Sequence, residues 1–194
     1  VGARRNAVVT AGTGSGKTES FLLPILADLL AESRVWGGRP ASPRPWWRRP
    51  SEPFSPQRAG ESGRPQAVRA LILYPMNALV DDQLVRLRRA LDSEPARQWL
   101  DSHRNGHRFY FGSATPVTGQ SSDDLKVAEL RRYLSATEDL SEVAQKSDHK
   151  ESRYFIPRPG GAEMVSRWDM YGAPPDILIT NHSMLNVMLL RDQI

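Results

Sequence analysis

The feature that most constrains this chain is a glycine-rich segment near its amino terminus. Residues 11–18 read Ala-Gly-Thr-Gly-Ser-Gly-Lys-Thr, between an apolar run that ends at Thr10 and an apolar helical pattern that begins at Phe21. Glycines at every second position let the backbone curl so that successive N–H groups point at a polyphosphate, and the following helix adds its positive end. The segment is therefore predicted to be a phosphate-binding loop.

The two residues that follow the last glycine suit a nucleotide bound together with a metal ion. Lys17 can reach the β- and γ-phosphate oxygens, and the Thr18 hydroxyl can ligate the Mg²⁺ that bridges them. These two are the predicted catalytic residues, and Thr18 is the predicted metal ligand. The residues predicted to bind the nucleotide are Gly12, Thr13, Gly14, Ser15, Gly16, Lys17 and Thr18.

Composition restricts the class of protein. The chain has 194 residues, of which 39% are hydrophobic and 25% charged, and it has no cysteine. This length suits one domain with its own core. No apolar run is long enough to cross a bilayer, so we expect a soluble, cytoplasmic protein without a membrane partner. The lack of cysteine excludes disulfides, thiolate zinc sites and cysteine nucleophiles.

Strand-like and helix-like segments alternate along the chain. Strands are predicted at 6–11, 67–74, 108–111 and 176–180, and helices at 16–33, 76–91, 94–102, 123–134, 161–171 and 183–191. The strand at 67–74 is almost continuously apolar, as a strand buried on both faces requires. The alternation predicts an α/β fold, with a parallel sheet covered by helices on both faces.

The alternation is interrupted between Arg34 and Pro65. This proline-rich segment, residues 34–65, contains seven prolines, seven arginines and three tryptophans, without a helical or strand period. We expect an insertion that is disordered when alone, because it offers little regular apolar surface to offset its ordering entropy. Two roles stay open: a basic arm that stacks its tryptophans on bases, or a variable surface insertion. Residues 135–160 are predicted to be a polar connection.

Four segments resemble motifs of the superfamily 2 helicases of the DEAD/DEAH type. Residues 11–18 resemble motif I, and 74–79, which read Tyr-Pro-Met-Asn-Ala-Leu, resemble motif Ia. Residues 111–116 resemble the glycine-containing loop after the third strand, and 175–185 resemble motif Ib. Residues 163–170 are similar to the large helicase of the DISARM phage-defence systems. The motifs span most of the chain and occur in the family's order.

The resemblance implies a P-loop NTPase fold, with residues 1–194 as the front part of a RecA-like, ATP-binding lobe. ATP and Mg²⁺ are the implied cofactors. The implied partners are nucleic acid, DNA rather than RNA, and other proteins of a defence or repair system. The residues implied to face the nucleic-acid strand are Pro75, Asn77, Gly112, Thr115, Thr180 and Asn181.

Purely structural roles for these strand-end residues also stay open. Pro75 can simply end its strand, and Thr115 can form a turn with Pro116. Asn77 and Asn181 can cap helices. Their joint occurrence at strand ends favours contact with a phosphate backbone, because the carboxyl ends of parallel strands open at one edge of a sheet.

An acidic pair that the resemblance implies is missing from the sequence. Enzymes of this class hold Mg²⁺ and orient the attacking water with an Asp-Glu pair, and no Asp-Glu dipeptide occurs here. We therefore expect a fragment, inactive alone, of an ATP-dependent helicase, without motif II and the second lobe. Two alternatives are a P-loop kinase or GTPase-like nucleotide switch, and a non-catalytic nucleic-acid-binding remnant.

Overall fold

The computed structural model describes residues 8–10, 16–40, 44–59, 61–114, 124–147 and 151–191. The chain divides into two compact units, Val1–Trp36 and Gly37–Ile194. Each unit is described by itself.

The described part of the first unit contains one long helix. Helix α1 spans Lys17–Glu32 and is followed by a 3₁₀ turn at Ser33–Val35. Pro24 lies inside α1 without ending it. Half of the strand predicted at 6–11 lies outside the described residues, and the described half, residues 8–10, is not in a strand.

The second unit is built on a parallel sheet. Its strands are β1 (Ala70–Tyr74), β2 (Phe111–Ser113), β3 (Glu163–Met164) and β4 (Ile177–Asn181), and their order in the sheet is β1-β4-β2-β3. All three pairings are parallel. In the longest pairing, Ala70 lies opposite Ile177 and Tyr74 lies opposite Asn181. The carboxyl ends of β1 and β4 are therefore side by side.

Helices connect and cover these strands. They are α2 (Asn77–Leu91), α3 (Glu94–His103), α4 (Asp124–Lys146), α5 (Arg167–Gly172) and α6 (His182–Arg191). Helix α2 packs against β1, β2 and β4. Its buried residues, which include Val80, Leu84, Leu87 and Leu91, recur every three or four positions, the spacing of one helix face. In the described parts of the chain, no helix is long and apolar enough to span a membrane.

The described middle part of the proline-rich segment, around Trp46 and Trp47, is packed, which corrects the expectation of disorder there. Trp46 and Trp47 lie in a short 3₁₀ turn and are 3% and 8% exposed. They pack in one apolar cluster with Trp168 and with Leu130 and Leu134 of α4. The expectation was wrong because it required a periodic apolar face, whereas two large aromatic side chains supply the buried area here without any period.

Arg131 of α4 fixes the same segment through its backbone. Its Nη1 donates to the carbonyl oxygens of Trp46, at 2.9 Å, and of Arg49, and its Nη2 donates to that of Glu52 at 2.6 Å. Its guanidinium also lies 5.1 Å from the Trp46 ring centroid. One side chain therefore satisfies several backbone acceptors that an irregular segment cannot satisfy by itself.

The polar connection predicted at 135–160 is also corrected. Helix α4 continues to Lys146, and a 3₁₀ turn (Ser152–Phe155) and the beginning of β3 follow. Thr137, Ser141 and Ala144 are buried and continue the row that Leu134 begins, at helical spacing. Small and polar residues thus form a buried helix face that a search for large apolar residues misses. The helix predicted at 161–171 is the two-residue strand β3 followed by α5.

Candidate nucleotide and nucleic-acid sites

The beginning of α1 carries the described part of the predicted phosphate loop. Gly16 precedes the helix with φ 77°, in the left-handed region that favours glycine. Glycine has no side chain to cap the helix, so no side-chain cap competes with an anion for the first-turn N–H groups. Lys17 is exposed and Thr18 half-buried. Gly12, Thr13, Gly14 and Ser15 lie outside the described residues.

The carboxyl ends of β1 and β4 bring two predicted site residues together. The Asn181 side-chain N–H donates to the Asn77 side-chain oxygen at 2.5 Å, across the two strand ends. The Asn181 side-chain oxygen accepts from the Met184 backbone N–H at 2.7 Å, so it caps α6. Asn77 begins α2, which has no side-chain cap. Asn77 and Pro75 are exposed at this edge.

Two other predicted site residues lie inside the fold. A Cβ at Gly112 would lie 2.4 Å from the Met170 Cε and 2.9 Å from the Met164 carbonyl oxygen. Thr180 is 1% exposed, and its hydroxyl donates to the Asn181 carbonyl oxygen at 3.5 Å. Gly112 has no room for a side chain and the Thr180 side chain is buried, so neither residue contributes a side chain to the open edge. Thr115 lies outside the described residues.

The opposite end of β4 is anchored by charged residues that the sequence does not single out. Asp176 is fully buried, pairs with Arg64 and accepts from the Tyr110 backbone N–H at 2.8 Å. Burial raises the pKa of the Asp176 carboxyl, and the neighbouring Arg64 opposes this shift. Arg64 also donates to the Arg108 carbonyl oxygen at 2.8 Å. Arg64 lies in the proline-rich segment, where no periodicity marks it as buried.

A parallel sheet with helices packed on it, and with polar side chains at its carboxyl edge, defines an open α/β class of fold, whose members bind ligands at that edge. A model of the DEAD/DEAH box helicase family matches residues 1–120, which is more than half of the chain. The chain belongs to the DEAD/DEAH box helicase family. The family resemblance and the α/β, RecA-like fold predicted from the sequence are thereby confirmed.

A curated relative is the Druantia protein DruE of Escherichia coli (strain UMEA 4076-1). The two are 33% identical over 226 aligned positions, which cover 95% of this chain and 11% of the relative. This chain therefore corresponds to about a tenth of the length of that relative. No solved structure matches this chain.

Proposed function

We propose that this chain is the ATP-binding and nucleic-acid-contacting part of an ATP-dependent DNA helicase or translocase. The carrying observation is the glycine-initiated start of α1, with exposed Lys17 and half-buried Thr18 directly after Gly16. A helix start of this kind binds phosphate through backbone N–H groups. Residues 12–18 hold the ATP phosphates, Lys17 contacts the β- and γ-phosphates, and Thr18 ligates Mg²⁺.

The second half of the proposal concerns the edge formed by β1 and β4. Asn77, Asn181 and Pro75 contact the sugar-phosphate backbone there. Support comes from the exposed Asn77 side chain, whose Oδ1 accepts a hydrogen bond from Asn181 Nδ2 at 2.5 Å. The start of α2, which has no side-chain cap, gives further support. Amide side chains and helix N-termini contact phosphates without reading sequence. Membership of a helicase family favours this role over a kinase or a GTPase-like switch.

ATP binding is tested by titration calorimetry with Mg²⁺ on the 194-residue chain. We expect Lys17→Ala to weaken ATP affinity at least roughly tenfold, because a charge-assisted contact is worth about 1.5–3 kcal/mol. Lys146→Ala is the matched control, since Lys146 is an exposed lysine at the end of α4. Unchanged ATP affinity in Lys17→Ala would overturn the assignment. If the chain binds DNA but shows no affinity for ATP, the result would favour the non-catalytic nucleic-acid-binding remnant instead.

Contact with nucleic acid is tested by fluorescence anisotropy with a labelled single-stranded DNA and an RNA of the same sequence. Asn77→Asp replaces an amide by a carboxylate of equal size, which repels phosphate, and we expect DNA binding to weaken roughly tenfold. Gln98→Glu makes the same chemical change at an exposed position of α3. Equal weakening by the two substitutions would show that charge alone acts, and would contradict a contact at Asn77.

A further inference from the structure

A cleft of about 360 Å³ lies beside the amino ends of β2 and β3. These strand ends are opposite to the carboxyl edge where Asn77 and Asn181 meet. The lining residues come from the proline-rich segment, from α3 and α4, and from the stretches before β2 and β3. Its charged lining residues are Arg39, Arg97, Arg108, Asp101 and Glu138. The packed proline-rich segment therefore completes one wall of this cleft.

Both carboxylates of the cleft are engaged by protein groups. Asp101 Oδ1 lies 2.7 Å from Arg108 Nη2. Glu138 Oε2 accepts from Trp47 Nε1 at 2.8 Å and from Arg48 Nε at 2.6 Å. Each carboxylate therefore has one oxygen held by a protein donor. The charged lining carries three arginines against these two carboxylates, so hydrogen-bond donors are in excess there.

Two arginines of the cleft have donor capacity to spare. Arg108 Nη1 has no hydrogen-bond partner but is closed off from solvent, and the same guanidinium pairs with Asp101 through Nη2, so a ligand gains this donor when the guanidinium turns away from Asp101. Arg39 is exposed and makes no hydrogen bond or ion pair with any residue that the structure describes. Unsatisfied guanidinium donors fit an oxyanion, since the planar fork matches phosphate oxygens.

The uncharged lining of the cleft is mainly made of rings. It consists of three prolines, two aromatic side chains and two glycines, namely Pro40, Pro45, Pro159, Trp47, Tyr110, Gly106 and Gly160. Such surfaces favour a planar ring, which packs on them without ordering flexible side chains. Ligand pockets enclose about 300–1,000 Å³, so the cleft lies at the lower end of this range. One nucleotide fills such a space.

We propose that this cleft binds a nucleoside monophosphate, with the phosphate on Arg39 and Arg108 and the base against the proline and aromatic walls. The ligand is a free mononucleotide or the 5′-terminal nucleotide of a strand. The cleft shares no lining residue with the nucleotide site proposed at α1, and a monophosphate lacks the β- and γ-phosphates that are assigned to Lys17.

The test uses AMP in titration calorimetry, on the 194-residue chain carrying Lys17→Ala. We expect AMP to bind, and Arg39→Ala to weaken it roughly tenfold through loss of a charge-assisted contact. Asp101→Asn releases Arg108, and because Asp101 is half exposed the fold tolerates the change. We expect it to strengthen AMP binding about threefold. Arg132→Ala removes an exposed arginine of α4 outside the cleft and leaves AMP binding unchanged.

Further ligands test whether the phosphate is needed, and whether it comes from a free nucleotide or from the end of a strand. Adenosine is expected to bind more weakly than AMP. A tetranucleotide with a 5′-phosphate that binds more tightly than its unphosphorylated form, with the difference lost in Arg39→Ala, identifies a strand end as the source. Equal binding of the two tetranucleotides identifies the free nucleotide. The proposal is overturned by absence of AMP binding at millimolar concentration, by equal affinity in Arg39→Ala and Arg132→Ala, or by tighter binding of a glutamate-rich peptide.

Discussion

Gly112 in β2 has no space for a side chain. Its Cα faces Met170 of α5 and the Met164 carbonyl of β3, and a Cβ would lie 2.4 Å and 2.9 Å from them. We expect Gly112→Ala to lower the free energy of unfolding by about 1–3 kcal/mol, the usual cost of overpacking. Urea unfolding of the 194-residue chain measures this change.

The matched control for Gly112 is Gly37→Ala. A Cβ at Gly37 would meet no heavy atom within 4 Å, and the backbone there does not have a positive φ. The same added methyl should therefore leave the free energy of unfolding nearly unchanged. Equal losses in the two variants would show that conformational effects, rather than packing against Met170, set the requirement for glycine at 112.

Some residue placements follow from sequence and others do not. The meeting of Asn77 and Asn181 is predictable, because each follows a strand and the carboxyl ends of parallel strands share an edge. The burial of Thr180 and Gly112 depends on neighbours distant in sequence, Met170 among them. A motif therefore indicates which strand ends matter, whereas only the packed structure shows which of their side chains are exposed.

The proline-rich segment and α4 form one packed element pair. Trp46 is 3% exposed within the aromatic and leucine cluster, whereas Trp99 on α3 is 40% exposed. We expect Trp46→Ala to lower the free energy of unfolding by about 3–5 kcal/mol, and Trp99→Ala by about 1 kcal/mol or less. Urea unfolding followed by circular dichroism compares them. If both substitutions lower the free energy of unfolding by similar small amounts, the result would support a disordered segment instead.

At the level of elements, strongly periodic segments are predicted well. Helices α1 and α2 lie close to their predicted ranges, because their leucines recur at helical spacing. The predictions for two elements were wrong, and each error has a physical cause. The second half of α4 buries Thr137, Ser141 and Ala144, which carry no strong apolar signal, and β3 has only two residues. Such elements form because neighbours cover them, and the local sequence does not record those neighbours.

For the molecule as a whole, the missing acidic pair leads to a prediction about turnover. Phosphoryl transfer to water needs carboxylates that hold Mg²⁺ and orient the attacking water, and no Asp-Glu dipeptide occurs in the sequence. We expect the 194-residue chain to bind ATP and release no phosphate above the background of its Lys17→Ala variant. A coupled phosphate-release assay measures this. Phosphate release that Lys17→Ala abolishes would contradict the prediction and require another acidic pair.

The prolines of the proline-rich segment also restrict its conformations in the unfolded chain. Four of its arginines, Arg39, Arg44, Arg49 and Arg64, directly precede proline. A proline fixes its own φ and restricts the residue before it to extended conformations. The denatured segment therefore samples fewer conformations, and folding removes less entropy than an ordinary loop of that length would lose. Prolines that suggest disorder in the sequence thus lower the entropic cost of ordering this segment on α4.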